Sequence, residues 1–144
     1  MKIIKLTTDN KITVHEYPKG DLCSQISYLS ELIGNNCRLV EEVRPKRLYE
    51  KLKFNIMATE NEGDNVSMLV DEEGLLKDKT QVNLIASYLC EAGKYGSVIV
   101  GNVLFIGEQS YRDGAISYCG LSDENFARLK HCLEVMVSSI NSEV

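Results

Sequence analysis

The chain has 144 residues, of which 44% are hydrophobic and 26% charged, with a formal net charge of −5. That length and composition suit one globular domain over residues 1–144 with a core of its own. The acidic balance argues against a binder of duplex DNA or RNA, which is usually basic, yet leaves room for a small anionic ligand at a local positive site.

Residues 2–6 and 12–17, "KIIKL" and "ITVHEY", read as a pair of strands turned by Asp9-Asn10. Asp21 then caps a helix over 21–33, with Leu22, Ile26, Leu29 and Ile33 on one stripe and Gly34 as its stop. A short β-like run over 35–43 leads into "RPKRLYEKLKF", 44–54, a basic cluster with Pro45 at the start of a short helix or turn. Residues 55–65 read as a strand end and a mobile loop. Residues 66–78 read as a strand, a turn near Glu72-Glu73-Gly74 and a short return strand. A helix is predicted over 80–93, capped by Thr80 and ended by Gly93.

"SVIV" and "VLFI" flank Gly101-Asn102. A hairpin centred on that dipeptide is the first reading, and one long strand with a glycine bulge the second. The tail gives the clearest helix. Ser122 caps it, Asp123 and Glu124 suit its first turn, and Phe126, Leu129, Leu133, Met136 and Ile140 form a seam. The seam suits packing on the chain's own sheet or on a second subunit. The expected fold is α+β: a mostly antiparallel sheet with an N-terminal hairpin, two or three packed helices and a long C-terminal helix.

No catalytic constellation stands out: there is no G-x-S-x-G, H-E-x-x-H or Walker loop. The pairs Glu41-Glu42 and Asp71-Glu72 are sequence neighbours on opposite strand faces, so they are expected to be solvated. Five scattered cysteines without C-x-x-C suggest reduced thiols, and no ligand spacing suggests a metal. With no apolar run of membrane-spanning length and no leader-like N-terminus, the expected compartment is the cytoplasm. "EQSYRDG", 108–114, offers an anion site, with Arg112 as a planar donor fork and Tyr111 and Tyr118 as stacking surfaces. Arg44 and Arg47 of the basic cluster would complete an anion pocket if the two regions meet.

The start "MKIIKLTTDNKI", the "VDEEG-L" turn, the "N-x-x-A" helix start at Asn83–Ala86 and the "VGN-x-x-x-x-G" strand from Val100 to Gly107 resemble a small phage-borne domain family. In size and layout the chain is similar to the Thoeris anti-defence family of phages. The resemblance implies a non-enzymatic sponge in the host bacterial cytoplasm. Such a protein sequesters cyclic ADP-ribose-type signals of TIR-domain enzymes, and in some members cyclic oligonucleotides, without degrading them. It also implies a homo-oligomer, a hexamer with pockets between subunits; no cofactor, metal or membrane partner is expected. Arg112, Tyr111, Tyr118, Arg44 and Arg47, with the motif residues Asn83 and Asn102, are the ligand-binding candidates. The alternative is a phage protein that inhibits a host defence enzyme by direct contact.

Overall fold

The computed structural model describes residues 1–92 and 98–142. Six strands are present: β1 (Lys2–Leu6), β2 (Ile12–Glu16), β3 (Val40–Val43), β4 (Ser67–Asp71), β5 (Val103–Ser110) and β6 (Ile116–Cys119). The helices are α1 (Leu22–Ile33), α2 (Lys46–Leu52), α3 (Leu84–Leu89) and α4 (Asp123–Ser142), with a 3-10 turn at Gly74–Leu76. The strand order is β2-β1-β5-β4-β3, with β6 beside β5, and every strand pairing is antiparallel. The fold is α+β, with the expected N-terminal hairpin and long C-terminal helix.

Alternate residues of the central strands enter two cores, as the two-residue period of a strand requires. Ile3, Leu69, Leu104 and Ile106 meet Leu29 and Ile33 of α1. Ile4, Met68 and Phe105 meet Leu48 of α2, Ile85 and Leu89 of α3, and Leu129 and Leu133 of α4. The sheet is therefore the middle of three layers, which explains why β4 and most of β5 are apolar without alternation. The tail seam packs on the chain's own sheet: Leu129 and Leu133 are fully buried, while Phe126, Met136 and Ile140 cover their edges. No helix among the described residues is long and apolar enough to cross a membrane.

Strand β5 changes partner along its length. Its first half pairs with β1, from Leu6↔Val103 to Ile4↔Phe105. Its second half pairs with β6, from Gly107↔Cys119 to Ser110↔Ile116. The chain after β6 closes on β1 through Lys2↔Leu121. Glycines make this crowding feasible: a Cβ on Gly107 would lie 2.5 Å from the Gly120 carbonyl oxygen and 2.8 Å from the Gly63 Cα.

Four expectations change. Gly101-Asn102 is not a hairpin: Val100 bridges Val82, the Gly101 amide donates to the Gln81 carbonyl, and β5 begins only at Val103. The hairpin lies further on, where the Tyr111 amide donates to the Ala115 carbonyl and β5 turns into β6. No return strand follows β4, because Asp71 accepts from the Glu73 amide and draws the chain into the 3-10 turn. The helix predicted over 80–93 is shorter, α3, and its cap is Asn83, which accepts from the Ala86 amide at 3.1 Å. Gly93, expected to end that helix, and Ser97, which opens "SVIV", lie outside the described residues.

The glycine junction yields a paired test. Gly107→Ala should cost about 3 kcal/mol, the upper end of the usual cost of overpacking, because the atoms it meets are backbone. Gly101→Ala meets open space, and its φ of +80° leaves only a backbone penalty, about 1 kcal/mol. Urea unfolding of both variants measures the difference, and equal losses would remove the junction from the account.

Candidate functional site

Strand β3 ends at Val43, and Arg44 and Pro45 lead from it into α2. Glu42 and Arg44, two residues apart, project to the same side, whereas Glu41 is exposed on the other. Glu108 shares the strand phase of Leu104 and Ile106, so its carboxylate is carried inward and is only 3% exposed. Burial of a lone carboxylate is costly unless it is paired and hydrogen-bonded. Here Arg44 Nη1 lies 3.0 Å from Glu108 Oε1, and the Asn65 amide donates to the same oxygen at 2.9 Å. Asn65 Oδ1 in turn accepts from the Glu108 backbone at 2.8 Å. Arg44 also reaches Glu42 through Nη2 at 2.7 Å and donates to the Ile56 carbonyl at 2.9 Å.

The result is a knot of two carboxyls, one guanidinium and one amide that joins β3, β5 and the segment between α2 and β4. The Glu42 carboxyl is pushed up to about 7 by burial and by hydrogen-bond and charge contact with Glu108, partly offset by Arg44. Tyr49 is held up to about 12 mainly by burial. Tyr118, the cross-strand neighbour of Glu108, is raised by burial and then by the charges of Glu42 and Glu108.

Beside the knot lies a groove of about 560 Å³ whose walls include Tyr17, Tyr111, Tyr118, Lys19, Gln109 and Glu62. The β5–β6 turn supplies Tyr111, whose hydroxyl contacts Gln109 and Ser117. Lys19 lies three residues after the end of β2 at Glu16 and is exposed. Arg112 is exposed at the tip of the same turn as Tyr111. Among the described residues, neither Lys19 nor Arg112 forms an ion pair.

The seven candidate residues thus separate. Tyr111 and Tyr118 share the groove, with Arg112 on its hairpin. Arg44 sits in the knot, where two carboxylates and a carbonyl occupy its donors, so it is not a free anion clamp. Arg47 donates to the Tyr88 carbonyl at 2.8 Å and stacks on the Tyr88 ring at 4.2 Å, away from the tyrosine groove. The anion pocket expected from a meeting of the two arginine regions is not assembled in this chain. Asn83 is fully buried and donates to the carbonyls of Leu6 and Gly101. Asn102 accepts from the Thr8 amide and donates to the Ile33 carbonyl. Both asparagines therefore fasten backbone, because their polar atoms are committed within the fold.

The acidic pairs are half solvated rather than fully so. Glu42 enters the knot, and Asp71, 8% exposed, pairs with Lys77. Glu42 was read only as a solvated acid, and Glu108, Asn65, Tyr17 and Lys19 were not named as candidates from sequence. The signal for Glu108 was its position on the apolar phase of a strand. The cysteines are free, and burial pushes the Cys90 and Cys119 thiols up to about 11, away from thiolate reactivity at neutral pH.

Comparisons with protein-family models, curated proteins and solved structures returned no match. The knot makes its own prediction. A raised folded-state value for Glu42 means that the native state holds its proton more tightly than the unfolded chain. Its contribution to stability is therefore full below about pH 4.5, falls as pH rises, and is gone above about pH 7. Glu42→Gln, which mimics the protonated form, should match the wild type at pH 5 and exceed it at pH 8 by roughly 1–2 kcal/mol, allowing for partial exposure. Urea unfolding across that range checks it, and a difference independent of pH would contradict it.

Proposed function

We propose that this protein binds a cyclic nucleotide signal of the cyclic ADP-ribose class and withholds it without chemical change, as an anti-defence protein of a phage acting in the host cytoplasm. The observation that carries the reading is the convergence of Tyr17, Tyr111 and Tyr118 with the unpaired cation Lys19 around one groove. A volume of about 560 Å³ lies within the usual range for small-molecule sites. Tyrosine faces stack on bases, a contact worth about 1–3 kcal/mol per base in single-strand binders. Lys19 and Arg112 would supply phosphate contacts, with charge-assisted hydrogen bonds roughly twice as strong as neutral ones. Glu62 also lines the groove, so a phosphate must seat away from its carboxylate.

The Glu42–Glu108 pair is occupied by Arg44 and Asn65, which favours binding over acid–base chemistry. The resemblance to the Thoeris anti-defence family supports the same reading and adds a homo-oligomer, in which a second subunit would close the open side of the groove. A second reading, inhibition of a host enzyme by direct contact, is favoured by an apolar groove between α3 and α4. Leu84, Tyr88 and Val135 are 60%, 42% and 52% exposed there.

A thermal-shift screen against cyclic ADP-ribose isomers and cyclic di- and trinucleotides tests the proposal. A ligand at 100 times its Kd adds about 2.7 kcal/mol to native stability. The expected result is a clear rise in Tm with one ligand, recovery of that ligand unchanged after heating, and loss of the rise in Tyr118→Ala and Lys19→Ala. No rise across the panel would favour the protein–protein reading, and a degraded ligand would make the chain an enzyme.

A further inference from the structure

We propose that Glu42, paired through Arg44 with the buried Glu108, is a proton-operated latch on one wall of the tyrosine groove, closed while Glu42 is protonated and loosened when it is ionised. The latch rests on the reading of that groove as the ligand site, but its mechanism is a property of the fold alone.

The geometry of the wall carries the inference. The segment from 55 to 65 contributes Glu62 to the groove. Both of its ends hang on Glu108. Near the start, the Ile56 carbonyl accepts from the Arg44 nitrogen that also binds Glu108. At the end, Asn65 exchanges two hydrogen bonds with Glu108, one to its carboxylate and one from its backbone amide. Between them, the Gly63 amide donates to the Glu108 carbonyl at 3.2 Å, and Gln109 donates to the Glu60 carbonyl at 2.9 Å. On the other side of β5, Glu108 stands opposite Tyr118, another wall of the groove. A change at Glu108 therefore reaches two walls through direct contacts.

Charge decides the direction. With the proton on Glu42, one carboxylate faces one guanidinium and the knot is neutral. With none, two carboxylates share Arg44 and the knot carries a net negative charge in a half-buried place, where repulsion is weakly screened. The edge position of β3 lets Glu42 and Arg44 withdraw at little expense in strand pairing, since β3 pairs only with β4. The ionisable groups facing the pair are Arg44 from the β3 end, Tyr49 from α2, and Tyr118 and Cys119 from β6, the thiol pushed up to about 11 by burial. Both tyrosines are held above their ordinary value, so neither titrates near neutrality. Glu42 is the group placed to release its proton there.

Hydrogen exchange of the full-length chain without ligand, read by mass spectrometry between pH 5.5 and 8.5 and corrected for intrinsic rates, tests the latch. Protection of peptides covering 55–65 should fall about tenfold or more as pH rises through 7, tenfold being the equivalent of one pK unit of linkage. Peptides from the β1–β2 hairpin should lose less protection than 55–65, and no more than the fall in global stability allows. Glu42→Gln should hold the 55–65 protection level across the range. Carboxyl carbon NMR of the glutamate-labelled protein should show one titration near pH 7 that is absent in Glu42→Gln. Corrected protection of 55–65 that does not vary with pH, or a change that persists in Glu42→Gln, would overturn the latch. Because no nucleotide is present, neither outcome depends on the sponge reading.

Discussion

A carboxylate buried in the central strand sets the terms for one end of this fold. Glu108 follows an apolar run and keeps its phase, so β5 cannot pair at the centre of the sheet without taking that charge inside. An uncompensated charge there would be strongly destabilising. Arg44 and Asn65 meet the demand, and each brings its own stretch of chain. Arg44 fixes the end of β3 and the Ile56 carbonyl, while Asn65 fixes the approach to β4. The irregular segment between α2 and β4 is thus ordered by polar contacts rather than by a ladder of its own. Such a pair adds little net stability compared with apolar packing. Its consequence is positional: it determines where the segment lies and which residues it offers to the groove.

The glycine junction completes that end of the molecule. Gly63, Gly107 and Gly120 let the segment, β5 and the chain after β6 approach within contact of bare backbone. The Ser122 amide donates to the Gly63 carbonyl, so the start of α4 is tied to the same point. Met1 lies against Gly120 and beside the groove, and its carbonyl accepts from the Tyr17 amide. The aromatic walls therefore come from the residue just after β2 and from the β5–β6 hairpin, two stretches far apart in the chain. The opposite face of the sheet, under α2, α3 and α4, is the larger apolar core, and α4 reaches this end through Asn125, which donates to the Gly63 carbonyl.

Much of the architecture was legible because caps and periodicity agree there. Asp21 and Gly34 bracket α1 as read, and Ser122 with the Leu129–Leu133 spacing marks α4. The β5–β6 hairpin was obscured by Gly101-Asn102, which has turn chemistry but opens into a segment bridged to Val82 instead of folding back on β5. A dipeptide shows that the chain can turn; pairing depends on distant partners. The same limit applies to the site. Tyr111, Arg112 and Tyr118 were legible as exposed chemistry in one short stretch. Tyr17 and Lys19 were not, because only the three-dimensional closure of β2 on β1 brings them alongside. Arg44 looked like a ligand for phosphate, and its true partners lay 64 residues away at Glu108. Asn83 and Asn102 carried motif positions whose purpose is hydrogen bonding to backbone.

Residue-resolved mapping of the proposed nucleotide binding tests the central claim most directly. Amide chemical shifts of the labelled protein would be followed during titration with cyclic ADP-ribose and with the panel member that raises Tm most. The account requires saturable changes centred on Tyr17, Lys19, Tyr111 and Tyr118, with the α3–α4 surface silent. Changes centred on Leu84, Tyr88 and Val135, or none with any cyclic nucleotide, would contradict it.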